Sequence, residues 1–144
     1  MDTRIQVTLD GIYYDNHIPQ FSIEFDGTLL CTGYLTESIT YNIHQHLQPG
    51  DYKLQIKLLN KTDDDTKYID NNFYDKALKV SKLVLNDINC DECLLHSTYI
   101  TDDNRKFTGE NYISWNGVWT LDISIPVFTY AHQKKNLGWI YNLK

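Results

Sequence analysis

The feature that most constrains this chain is strict two-residue alternation of apolar and polar side chains, repeated in short runs that end on tight-turn dipeptides. Ile5-Gln6-Val7-Thr8-Leu9 alternates and closes on Asp10-Gly11. Gln20-Phe21-Ser22-Ile23-Glu24-Phe25 does the same and meets Asp26-Gly27, beyond which Thr28-Leu29-Leu30-Cys31-Thr32 runs on. Successive strand side chains point to opposite faces, so each run has one face to bury, and Asp-Gly between two runs marks a two-residue hairpin. Ile39, Tyr41 and Ile43 share a face in the next run. After Pro49-Gly50, Tyr52, Leu54, Ile56 and Leu58 turn to a core while Lys53, Gln55 and Lys57 turn to water. The 14 Ile, 13 Thr and 11 Tyr set against 2 Ala disfavour helix and suit pleated, half-buried surfaces. The 144 residues allow one domain, 1–144. About eight to ten short strands, with no helical period between them, predict an all-β, single-domain, jelly-roll-like antiparallel β-sandwich.

The 15 Asp and 12 Asn, against 4 Glu, belong to turns rather than helices. Residues 60–76, with Asp63-Asp64-Asp65 and Asp70-Asn71-Asn72, read as a long polar loop, and Thr101 to Lys106 as an exposed tip. A net charge of −6 and no basic cluster longer than Lys134-Lys135 argue against nucleic acid as a partner. No apolar run is long enough for membrane insertion, and the opening residues lack the basic and apolar stretches of an export signal. Cys31, Cys90 and Cys93 are an odd set, which argues against a disulfide framework. Cys90-Asp91-Glu92-Cys93 has no second pair to complete a zinc site, and its flanks read as strands joined by a turn.

No nucleophile–base motif surrounds His17, His44, His46, His96 or His132, so the expectation is a protein that is not an enzyme. His44 and His46 lie on one strand face, where solvent accommodates such a pair as readily as a metal does. Asn60 with Asp63, Asp64 and Asp65 offers hard oxygen ligands of the kind calcium uses, although consecutive aspartates also simply solvate a loop. Tyr112, Trp115, Trp119 and Trp139 are the carbohydrate-binding or interface candidates, since flat aromatic faces stack on sugar rings or anchor contacts. Aromatic rings also fill cores. Trp115, beside Asn116-Gly117, is the best placed for exposure.

Gly50-Asp51-Tyr52-Lys53-Leu54-Gln55-Ile56-Lys57-Leu58-Leu59-Asn60, followed by 78–88, resembles two successive strands of small carbohydrate-binding modules of the calcium-dependent xylan-binding type, over about a third of the chain. In that family an Asn-Asp pair after the first strand contributes to calcium binding. Here Asn60 matches, Lys61 stands in place of the acid, and Asp63 to Asp65 would have to compensate. Trp115 to Leu121, Pro126-Val127-Phe128 and Gly138 to Asn142 resemble the ends of small β-sandwich virion proteins of contractile-tailed phages. Together the resemblances imply a non-enzymatic virion accessory protein that decorates a capsid, neck or tail. Its partners would be other virion proteins, further copies of itself and host-surface polysaccharide, and its cofactor, if it has one, calcium. A free-standing carbohydrate-binding module without a virion role is the alternative.

Overall fold

The structure, a computed structural model, describes residues 1–134. Its long strands form where the alternation is strongest. In the first sheet β1 (Asp2–Ile12) lies between β4 (Ile39–His46) and β8 (Ala77–Leu85), antiparallel to both, and the short β12 (Tyr112–Ile113) and β9 (Ile88–Asn89) add to β8. In the second sheet β13 (Gly117–Ile125) and β5 (Gly50–Leu58) pair along their whole lengths. β10 (Thr98–Thr101) and β11 (Lys106–Thr108) extend it on one side, and β2 (Gln20–Phe25) and β3 (Thr28–Tyr34) on the other. The chain therefore crosses repeatedly between two antiparallel sheets, as the expected sandwich requires. Among the described residues eight strands have four or more residues, and five have only two or three.

Burial follows the alternation. Ile5, Val7 and Leu9 from one sheet meet Ile23, Leu54, Ile56, Leu121 and Ile123 from the other in one continuous core. The Asp26-Gly27 hairpin forms as its sequence dictates, with φ of 49° and 84° at the two turn residues, the left-handed pair that matches strand twist.

Three segments depart from the sequence expectation. Residues 60–76 are not a plain loop: Asp63–Asp65 forms a 3-10 turn, and β6 (Lys67–Ile69) pairs with β7 (Asn72–Tyr74) as a separate hairpin. Its two-residue turn, Asp70-Asn71, has φ of 51° and 66°, values that Asp and Asn tolerate better than other non-glycine residues. The sequence shows no helical period, yet after Pro126 the chain forms the helix α1 (Val127–Lys134), which buries Val127, Tyr130 and Ala131. The Cys90-to-Cys93 segment likewise enters a 3-10 helix, Asp91–His96, with both cysteines buried.

Candidate functional site

The hairpin β6–β7 stands beside the loop that follows β1. That loop is closed by a hydrogen bond from the His17 amide to the Tyr14 carbonyl at 2.9 Å, with Asp15 at the left-handed φ of 49°. The Tyr14 and His17 rings are thereby stacked, 4.4 Å between centroids and 14° between planes, and Tyr74 of β7 leans on Tyr14 at 5.4 Å and 51°. Together with Asp15, Lys67 and Ile69 these rings line a surface cavity of about 310 Å³. The hairpin's alternation decides which side chains reach it: Lys67, Ile69 and Tyr74 line the cavity, while Tyr68 and Phe73 pair across the strands on the other face, exposed, with rings 5.3 Å apart.

A buried charge cluster supports the cavity from behind. Asp65 sits at N3 of the 3-10 turn, where its Oδ2 accepts from the Thr62 amide at 2.7 Å and the Thr62 hydroxyl at 3.0 Å, a capping box. The same oxygen faces Lys76 Nζ at 3.0 Å, and Oδ1 faces His17 Nδ1 at 2.7 Å. Asp75, at the end of the hairpin, accepts from Lys61 Nζ, from the Thr66 hydroxyl at 2.7 Å and from the Lys76 amide at 2.9 Å on Oδ1, and from the Tyr112 hydroxyl at 2.6 Å on Oδ2. Lys61 and Lys76 also donate to main-chain carbonyls, of Lys76 at 2.6 Å and of Asn60 at 2.7 Å respectively.

Burial alone would push both carboxyls up. The hydrogen bonds from His17, Thr62 and Lys76 to Asp65, and from Lys61, Tyr112 and Thr66 to Asp75, outweigh it and hold both well below the usual carboxylate range. Burial and the Asp75 carboxylate push the Tyr112 phenol up, so it remains a donor. Tyr14 is pushed up in the same direction by burial and by Asp65, and donates to the Asp64 carbonyl at 3.0 Å.

The aromatic candidates separate. Tyr112 is half-buried, bound to Asp75, and lines a smaller cavity of about 140 Å³ with Tyr99, Phe107, Glu110 and Ser114. Trp115 is half-buried, and its backbone is clamped by the Tyr99 hydroxyl, which donates to its carbonyl at 2.5 Å and accepts from its amide at 3.0 Å. Trp119 offers no face to a ligand: it points from β13 into the core with Leu121, Ile123 and Ile125 and is completely buried. Trp139 lies outside the described residues. His44 and His46 do not join a common site either: His44 contacts Asp2 at 2.6 Å and His46 the N-terminal amine at 3.1 Å.

The oxygen-ligand candidates separate too. Asp63 and Asp64 are exposed. The Asn60 side chain is committed to the backbone, accepting from the Gln20 amide at 2.8 Å and donating to the Ile18 carbonyl at 3.0 Å. Only Asp65 is buried, and its oxygens face Thr62, His17 and Lys76.

No protein-family model matches the sequence, and no curated protein sequence matches it significantly. Two solved structures of vCBM60, a module from work linking two families of calcium-dependent carbohydrate-binding modules, do match. One is a selenomethionine form, at TM-score 0.56 and 15% identity over 83% of this chain and 89% of the other. The second is its complex with galactobiose, at TM-score 0.53 and 16% identity over 83% of this chain and 99% of the other. The chain shares the fold of vCBM60. The expected all-β antiparallel sandwich is thus shown.

The calcium that this likeness brings into question requires six to eight oxygens around one point. Asn60 and Asp63 to Asp65 do not fit it: they diverge, and the one buried carboxylate among them faces an ammonium group. Among the described residues, no three His, Cys, Asp or Glu side chains come together as metal ligands. The cavity residues Tyr14, His17 and Tyr74 were not among the sequence candidates. The signals for them were the aromatic cluster Tyr13-Tyr14-Asp15-Asn16-His17 and the Asp70-Asn71 turn between two three-residue β runs.

Proposed function

We propose that this chain is a non-catalytic carbohydrate-binding β-sandwich whose ligand rests against Tyr14 and Tyr74. The observation that carries the reading is the cavity of about 310 Å³ in which two tyrosine rings 5.4 Å apart meet Asp15, His17 and Lys67. Such a surface gives a sugar ring an aromatic face for its C–H bonds and charged groups for its hydroxyls. A second cavity of about 310 Å³, lined by Asp26, Asp51, Lys53, Asp122, Ser124, Tyr130 and Lys134, supports the reading less well, because its one aromatic side chain, Tyr130, is buried. The fold shared with vCBM60 supports binding over turnover.

The test is a glycan array followed by titration calorimetry on Tyr14→Ala and Tyr74→Ala. Losing one aromatic platform of this kind costs roughly 1–2 kcal/mol, about five- to thirtyfold in affinity. Unchanged affinity in both variants, with folding intact by circular dichroism, would refute the site.

The finer part of the reading places the module on a phage particle, with other virion proteins and copies of itself as partners and host-surface polysaccharide as ligand. The resemblance of Trp115 to Leu121, Pro126-Val127-Phe128 and Gly138 to Asn142 to the ends of small β-sandwich virion proteins supports it. Mass spectrometry of purified particles tests it: stoichiometric presence supports the virion role, and absence leaves the free-standing module.

A further inference from the structure

We infer that Lys61 and Lys76 serve this sandwich as built-in counter-cations, so that the folded chain needs no divalent metal, unlike the calcium-dependent modules whose fold it shares. The buried oxygens behind the cavity converge on nitrogen. Lys61 Nζ is held by Asp75 Oδ1 and the Lys76 carbonyl, and Lys76 Nζ by Asp65 Oδ2 and the Asn60 carbonyl at 3.0 and 2.7 Å. The exposure of these side chains is 2% for Lys61, 3% for Asp75, 9% for Lys76 and 5% for Asp65. Two carboxylates and two ammonium groups therefore balance in charge out of solvent. A divalent cation entering here would displace an ammonium or lie within a few ångströms of two, where Coulomb repulsion at low dielectric is strong.

The Lys61 backbone is itself fixed: its amide donates to Asn116 Oδ1 at 2.7 Å and its carbonyl accepts from Asn116 Nδ2 at 2.9 Å. The ammonium is thus presented to Asp75 by a stapled segment rather than by a mobile tail.

The inference does not depend on a glycan being bound. Thermal melts of the wild-type chain in EDTA and in millimolar calcium chloride should agree within about 1 °C, and a saturable rise with calcium overturns it. Lys61→Met should lower Tm by roughly 10 °C or abolish folding, because it strands a buried carboxylate. Lys61→Met/Asp75→Asn, which removes the two charges together, should recover most of that loss. A Lys61→Met protein as stable as wild type, or a double variant that recovers nothing, would refute the role given to the lysine.

Discussion

Truncating Asp75 should be the most damaging polar substitution in the described residues. Four donors converge on its carboxylate, from Lys61, Thr66, the Lys76 backbone and Tyr112. Asp75→Ala removes all four acceptor contacts and leaves the Lys61 ammonium, 2% exposed, without its carboxylate. Breaking a buried pair from one side costs roughly 3–5 kcal/mol, largely because the remaining charge stays desolvated. With a urea m-value of about 2 kcal/mol/M, the unfolding midpoint should fall by roughly 2 M. Tyr112→Phe, which removes one donor and leaves three, should cost only about 1 kcal/mol. Urea titrations of both variants, followed by tryptophan fluorescence, measure the difference. If Asp75→Ala lies within about 1 kcal/mol of wild type, or costs no more than Tyr112→Phe, the cluster does not hold the hairpin as argued.

Acid should destabilise the fold through the same groups. The folded-state pKa values of Asp65 and Asp75 are depressed, so their contribution is complete above the unfolded carboxyl value of about 4 and declines as pH falls below it. Chemical denaturation between pH 6 and pH 2 should show that decline, and the slope should shrink in Asp75→Asn. Trp119→Ala should cost roughly 3–5 kcal/mol without directly altering the proposed ligand face, because the ring fills the core beneath β13; a loss under about 1 kcal/mol would contradict that burial.

The sandwich was legible because alternation is a local signal. Tyr52 to Leu58 and Ile5 to Leu9 carry their inward faces in their own spacing, and the Asp26-Gly27 turn states its geometry in two letters. Trp119 belonged to the same kind of signal: it shares a parity with Leu121, Ile123 and Ile125, and that parity, rather than its chemistry as an aromatic, decided where it points. The cavity was not legible in this way. Tyr14 and Tyr74 are far apart in sequence, and what joins them is a hairpin whose strands, three residues each, are too short to show a period in the sequence. Lys61 and Lys76 look like ordinary solvated lysines in a polar stretch, because their partners Asp75 and Asp65 reach them only after the chain has folded back across the 3-10 turn. The two helical departures have the same origin: in the Val127-to-Lys134 and Asp91-to-His96 segments, packing against β13 and β8 outweighed weak local preferences.

If the proposed ligand rests against Tyr14 and Tyr74, the alternation within the Lys67-to-Tyr74 hairpin separates ligand choice from the scaffold. Odd-numbered positions of its first strand and even-numbered positions of its second can be rewritten to suit a different saccharide while the opposite side and the sandwich beneath stay as they are. A single-residue insertion in either strand would exchange that strand's inward and outward side chains in one step, so relatives carrying a length change there should differ in what they recognise more than in how stably they fold.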